Sequence, residues 1–199
     1  METKEQRKKQ VEVSILPINL ATATFPIASE TSLLMDKMPL ETLKEIEDKQ
    51  KGKSKSGKKL RDIDREIEQA IHYLPDKTIG FPASAFKTGM IESTSFVGNK
   101  MFSKKLIKGL KILNATDGLI PIRFKKQTIL VHNIGSNTKH TPQFHEWSCE
   151  LVVQFDRNNI SEKDIATLIN YAGFYSGVGI WSPRCRSGGD FGMYKLKTK

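Results

Sequence analysis

Residues 172–196, AGFYSGVGIWSPRCRSGGDFGMYKL, hold the side chains with the most chemistry to offer. Phe174, Tyr175 and Trp181 present aromatic faces, and Arg184 and Arg186 present guanidinium groups. Six of the chain's 14 glycines (Gly173, Gly177, Gly179, Gly188, Gly189 and Gly192) lie among them. Single-stranded nucleic acid is held by this combination: cations track the phosphates, and each base stacked on an aromatic ring contributes about 1–3 kcal/mol. Glycine is used where positive φ or a close backbone approach is required. Gly173 therefore reads as a helix C-terminal cap and Gly188-Gly189 as a hairpin turn. Gly177 and Gly179 read as points where the chain runs close to a helix or a ligand. Taken singly, Phe174 and Trp181 also read as core side chains, and the arginines fit plain exposure as well as a polyanion contact.

Charge points the same way. Lys and Arg number 32 against 22 Asp and Glu, a net charge of +10 with a pI near 9.5. Such a field attracts polyanions, nucleic acid first and anionic membrane second. Residues 49–59, KQKGKSKSGKK, hold six lysines and no acid or apolar side chain, the composition of an exposed loop. Lys51, Lys53, Lys55, Lys58 and Lys59 are its candidate phosphate contacts, joined elsewhere by Lys87, Lys104, Lys105, Lys125 and Lys126. The tract approaches a phosphate-binding P-loop from Gly52 to Lys58, but Lys59 stands where a magnesium-holding hydroxyl belongs, and no apolar strand precedes it. It is not a nucleotide-hydrolysing motif.

Other chemistries find less support. His72, His132, His140 and His145 are the only histidines, and their spacing to Cys149 matches no zinc pattern. His145, beside Trp147, reads as a packing or hydrogen-bonding residue. Asp62, Asp64, Glu66 and Glu68 read as solvated charge around one helix. No nucleophile elbow or Cys–His pair is evident. The expectation is no catalytic centre, no metal and no cofactor; the enzymatic alternative is acid–base RNA cleavage through His132 or His145. Cys149 and Cys185 form no CxxC pair and METKEQRKKQ has no apolar core, so a cytoplasmic chain with reduced thiols and no membrane segment is expected.

Elements must position these residues. Val11, Val13 and Ile15 open a period-two strand within residues 11–25. Leu40, Leu43 and Ile46 mark a helix, and Leu60, Ile63, Ile67, Ile71 and Leu74 mark a second. Pro82 precedes a short helix carrying Ala85, Phe86 and Met90, and residues 100–113 predict another. GLIPIRF and QTILVHN read as strands turned at Lys125-Lys126, and residues 133–147 as a polar loop. Cys149, Leu151, Val153 and Phe155 alternate along a strand with one apolar face. A helix follows, opened by a Ser161/Asp164 capping box, with Ile165, Leu168 and Ile169 buried; FGMYKLK closes the chain as a strand. The expected fold is α+β: a single ferredoxin-like (split β-α-β) domain over 1–199, its antiparallel sheet carrying a helical and lysine-loop insertion at 36–78.

The glycine-rich stretches AGFYSGVGIW and GGDFGMYKL, behind the strand and helix of residues 147–173, resemble the repeat-associated mysterious protein (RAMP) superfamily of CRISPR systems, in its backbone-subunit branch. GFPASAFKTGMIES is similar to a P-x-S-x-x-K/R helix start of such folds, through Pro82, Ser84 and Lys87, and Trp181-Ser182-Pro183-Arg184 resembles a W-R-P segment of bacteriophage proteins. The resemblance covers about residues 79–198 and implies a phage-encoded relative in the bacterial cytoplasm. By it, the chain coats single-stranded nucleic acid, self-associates head to tail as a filament, and works with CRISPR-type or phage replication and recombination proteins. The lysine loop becomes a thumb, with Lys87 and Arg184 nearer the groove. The alternative is a protein-interaction module, an inhibitor that mimics a CRISPR complex subunit.

Overall fold

The structure is a computed structural model that describes residues 17–52, 61–97, 103–134, 137–186 and 188–197. In chain order the elements are β1 (Leu20–Ser29), β2 (Leu33–Leu34), α1 (Leu40–Gln50), α2 (Ile63–Gln69), β3 (Gly80–Pro82), α3 (Ala83–Ser93) and α4 (Lys104–Lys108). They continue with β4 (Lys111–Ile112), β5 (Leu119–Pro121), β6 (Lys126–Ile134), β7 (Asn137–His145), β8 (Ser148–Asp156), α5 (Glu162–Tyr171), a π-helical turn at Ala172–Ser176, and β9 (Tyr194–Leu196). The fold is α+β with antiparallel sheets.

The alternation in β8 does what its period demands. Cys149, Leu151, Val153 and Phe155 are buried on one face, together with Phe25 and Ile27 of β1. These strands pair antiparallel from Leu20 opposite Asp156 to Ala28 opposite Ser148. With β4 beside β8 and β9 beside β1, the sheet order is β4-β8-β1-β9, all neighbours antiparallel. α3 and α5 pack against each other and send Phe86, Met90, Ile165, Leu168 and Ile169 into the core. Ser161 caps α5: its Oγ accepts from the Asp164 N–H at 3.2 Å, and the Asp164 carboxylate accepts from the Ser161 N–H at 3.0 Å. Such a cap is worth about 1 kcal/mol.

A second sheet, β2-β7-β6, carries α2 against β7. Here the sequence expectations need correction. Residues 133–147 are not a polar loop: most of them form β7, whose register against β6 runs from Lys126 opposite His145 to Ile134 opposite Asn137. Lys125-Lys126 is therefore not a hairpin turn, because β5 pairs with β3 and β6 with β7. The polar β7 escapes a search for apolar alternation because Pro142 and Phe144 are its buried apolar side chains and Thr141 is buried beside them.

Helix boundaries also move. The second helix stops at Gln69, and Ile71 and Leu74 are buried beyond it, Leu74 in a turn closed by a Tyr73–Ile79 bridge. Pro75 bars a helical Leu74. The helix expected over 100–113 ends at Lys108, because Lys111–Ile112 joins the sheet beside β8. In α1, Leu43 and Ile46 are exposed rather than a buried stripe. The first strand begins at Leu20, and Val11, Val13 and Ile15 lie outside the described residues, as does Leu60.

Candidate nucleic-acid interface

The glycine-rich segment lies along α3 in the opposite direction. Arg184 Nη1 donates to the Ala85 carbonyl at 3.4 Å in the first turn of the helix. Midway, a Cβ on Gly89 would stand 3.4 Å from Ala172 Cβ and 3.6 Å from Ser176 Cβ, so Gly89 admits the π-helical turn. One turn on, Ser176 Oγ donates to Glu92 Oε2 at 3.1 Å. Past the end of α3, Phe96 and Tyr175 stack with centroids 4.3 Å apart and planes at 9°. Eleven helical residues span about 16 Å, which separates the guanidinium from the aromatic stack.

That stack is part of a cluster. Phe174 meets Tyr175 edge-on at 5.0 Å, and Tyr171 lies 5.7 Å from Tyr175. Phe174 is 57% exposed, Phe96 49% and Tyr175 42%. Phe174 is thus not a core residue. Neither Phe96 nor Tyr171 is among the residues expected from the sequence; Tyr171 sits one turn before Tyr175, whereas nothing local to Phe96 marks it. α4, which carries exposed Lys104 and Lys105, packs on α3. Lys87 is half-buried on α3 itself. Glu92 is the carboxylate bonded into this surface through Ser176.

The glycines have another use. Gly173 does not cap α5, which runs on into the π-helical turn; a Cβ there would lie 1.8 Å from the Tyr194 carbonyl oxygen. Gly177 (φ +58°) is walled by Pro183 Cδ at 3.0 Å from a would-be Cβ, and Gly179 (φ +85°) by Leu34 O at 2.5 Å. The close approach at both is to the protein's own chain. Gly188 and Gly189 turn no hairpin: β9 pairs with β1, and the Gly189 position abuts the Trp181 carbonyl at 2.2 Å.

Trp181 is half-buried with φ +55°, a conformation that a bulky residue holds only under outside constraint. The constraint is visible: its ring meets His132 edge-on at 4.2 Å, and its carbonyl accepts from the Phe191 N–H at 3.2 Å. Trp181, Phe191, Asp190, Thr31 and Ser32 line a groove of about 780 Å³. A second cavity, of about 430 Å³, lies between Arg184, Ser84, Thr88, Phe81 and His72. Burial, and then Lys37, hold the His72 imidazole below its usual range. Both nitrogens of His145 meet hydroxyls, Nδ1 with Ser32 Oγ at 2.9 Å and Nε2 with Thr128 Oγ1 at 2.6 Å. His140 and His145, five apart on β7, point to opposite faces.

The remaining basic candidates scatter. Lys51 pairs with Glu47 at 3.5 Å across one turn of α1, and Lys125 pairs with Glu146. Both pairs are exposed and worth about 0–1 kcal/mol. Lys126 and Arg186 are exposed. Lys53, Lys55, Lys58 and Lys59 lie outside the described residues.

The two thiols differ in kind. Burial, and then Glu150, push the Cys149 thiol up to about 12, while Cys185 is partly exposed beside Ser182 Oγ at 3.5 Å. Thiolate, not thiol, is the nucleophile. In the folded protein an aromatic disulfide reagent at about pH 8 therefore titrates Cys185 alone. Cys149 reacts only after denaturant is added, and two fast thiols in the native protein would contradict its burial.

Compared with known proteins, the chain matches no family model and no curated sequence. Among the described residues no helix is long and apolar enough to cross a membrane.

Proposed function

We propose that this chain is a non-enzymatic protein that binds and coats single-stranded nucleic acid. The observation that carries the reading is the cluster of exposed Phe96, Phe174 and Tyr175 with half-buried Tyr171 beside them. In a chain of net charge +10 it offers base-stacking faces inside a field that attracts phosphates. Arg184 at the far end of α3, Lys87 on it, and the exposed Lys104 and Lys105 on the helix packed against it supply cations on and beside the same helix. The lysine tract of residues 49–59 adds charge without a stacking surface.

The strand order supports a finer architectural reading. The series β1, α3, β4, β8, α5, β9 with the sheet order β4-β8-β1-β9 fits a ferredoxin-like split β-α-β core. The segment from α1 to β3 is then an insertion between the first strand and first helix. Kinship with the RAMP backbone subunits, proposed on the residues of the glycine-rich segment rather than on this ordering, would make the protein sheathe its strand.

Fluorescence anisotropy with labelled poly-dT, poly-U and duplex DNA tests the reading. The expected result is single-strand binding that weakens about fiftyfold between roughly 50 and 200 mM salt, the loss for about four neutralised phosphates. The better single-stranded ligand identifies the natural class. Binding to none of the three at low salt overturns the reading and leaves the protein-interaction alternative.

A further inference from the structure

We propose that two copies of this chain associate through β6, edge to edge and antiparallel, about a two-fold axis at Leu130. Among the described residues β6 pairs with β7 alone, so its other edge is open over a nine-residue strand. Edge strands are usually blunted by lysines, prolines or bulges, because their unpaired N–H and C=O groups recruit another strand. The seven residues from Gln127 to Asn133 contain no Lys, Arg, Asp, Glu or Pro. Ile129 and Val131 on this edge strand are 49% and 56% exposed.

The direction of the free backbone groups follows from Pro142. It has no N–H, and its carbonyl accepts from Met35 N at 3.1 Å, on the β2 side of β7. In an antiparallel ladder, residues that do not exchange bonds with their partner point both backbone groups the other way. Ile129, opposite Pro142, therefore directs its N–H and C=O outward, and so do Gln127, Val131 and Asn133 at the same phase. Leu130 directs its own toward β7.

The occupant is a second copy because the segment complements itself. With Leu130 on the axis, Ile129 meets the partner's Val131, Thr128 meets the partner's His132, and Gln127 meets the partner's Asn133. Apolar faces apolar, hydroxyl faces imidazole, and amide faces amide; every outward-pointing residue lies opposite another outward-pointing residue. For a chain of net charge +10, most self-contacts bring like charges together, but this stretch brings none. The contact is isologous and closes at two copies, so a filament along nucleic acid would need a different, head-to-tail surface in addition. This inference is independent of the nucleic-acid reading.

Leu130→Cys, made with Cys185→Ser so that the other native thiol is the buried Cys149, tests the geometry. At the axis, a pair that exchanges no backbone bonds sits about 4.5 Å apart Cα to Cα, within disulfide reach. Mild oxidation is expected to yield a covalent dimer, while Glu150→Cys, an exposed control on β8 in the same background, stays monomeric. In sedimentation equilibrium the unmodified protein is expected to dimerise. Val131→Lys, at an exposed position that leaves the fold intact by circular dichroism, weakens that dimer at least about tenfold by placing charge in the paired face. A protein that is monomeric at every loading concentration, or Leu130→Cys that cross-links no faster than Glu150→Cys, overturns the proposal. Slow amide exchange along β6 in a monomer overturns it as well, because the edge would then be covered by the chain's own segments.

Discussion

Gly192→Ala is expected to destabilise the protein by more than about 4 kcal/mol, whereas Gly188→Ala costs only about 1–2 kcal/mol. Both glycines hold positive φ, +68° and +59°, so both substitutions force an L-residue into the left-handed region. What separates them is space. Nothing lies within 4 Å of a Cβ built on Gly188, while one on Gly192 would meet the Val178 carbonyl oxygen at 1.7 Å. The obstacle is backbone, which no rotamer change removes. Gly192 is tied further by its N–H, which donates to Ser32 O at 2.7 Å, and Val178 N–H donates to Gly192 O at 2.9 Å. Alanine must push apart the contact that joins the start of the glycine segment to its end. Thermal unfolding of the pair should place the Gly192→Ala midpoint at least about 5 °C below that of Gly188→Ala. Equal midpoints would mean that Val178 and Gly192 do not approach as described.

Phe174→Ala is expected to lower single-strand affinity by about 5- to 150-fold, the equivalent of one lost base stack. Its stability should change by no more than about 0.5 kcal/mol, as for a surface substitution. The 57% exposure of Phe174 is the reason for both halves of that statement. Tyr175→Ala should cost similar affinity and some stability too, because it also removes the Phe96 stack. Phe174→Trp, which keeps an aromatic face, should retain binding. The salt slope tells stacking from charge: Phe174→Ala leaves it unchanged, whereas each lysine lost from a phosphate contact lowers it by about 0.7. Anisotropy titrations at several salt concentrations check all three variants. Full affinity in Phe174→Ala and Tyr175→Ala would move the interface away from the aromatic cluster.

Local patterning was a good guide where one element meets water on one side and core on the other. The alternation in β8, the capping box of α5 and the buried stripe of Ile165, Leu168 and Ile169 are each visible in a window of a dozen residues, and the structure has them. The pattern failed in β7, a strand built largely of Thr, Lys, His and Gln. It is held between β6 and β2 and against α2, so its conformation is imposed by partners rather than by its own apolar spacing. It failed again in α1, whose Leu43 and Ile46 have helical spacing but remain exposed.

The candidate interface divides in the same way. The aromatic and basic character of residues 172–186 could be read directly, but not which of those side chains face outward. Trp181 is half-buried against His132, while Phe174 is exposed and Tyr175 stacks on a Phe96 far away in the chain.

Charge, the periods of the strands and helices, and the crowding of glycine near the C-terminus all follow from residue order alone. What those glycines are for is visible only where separate segments of the folded chain meet. Period and composition are properties of neighbours along the chain, and they report which face of an element is apolar. The distances from Gly173 to Tyr194, Gly179 to Leu34 and Gly192 to Val178 depend on where separate segments cross. A missing Cβ shows that something comes close; only the folded chain shows that, at these three positions, it is the protein's own backbone.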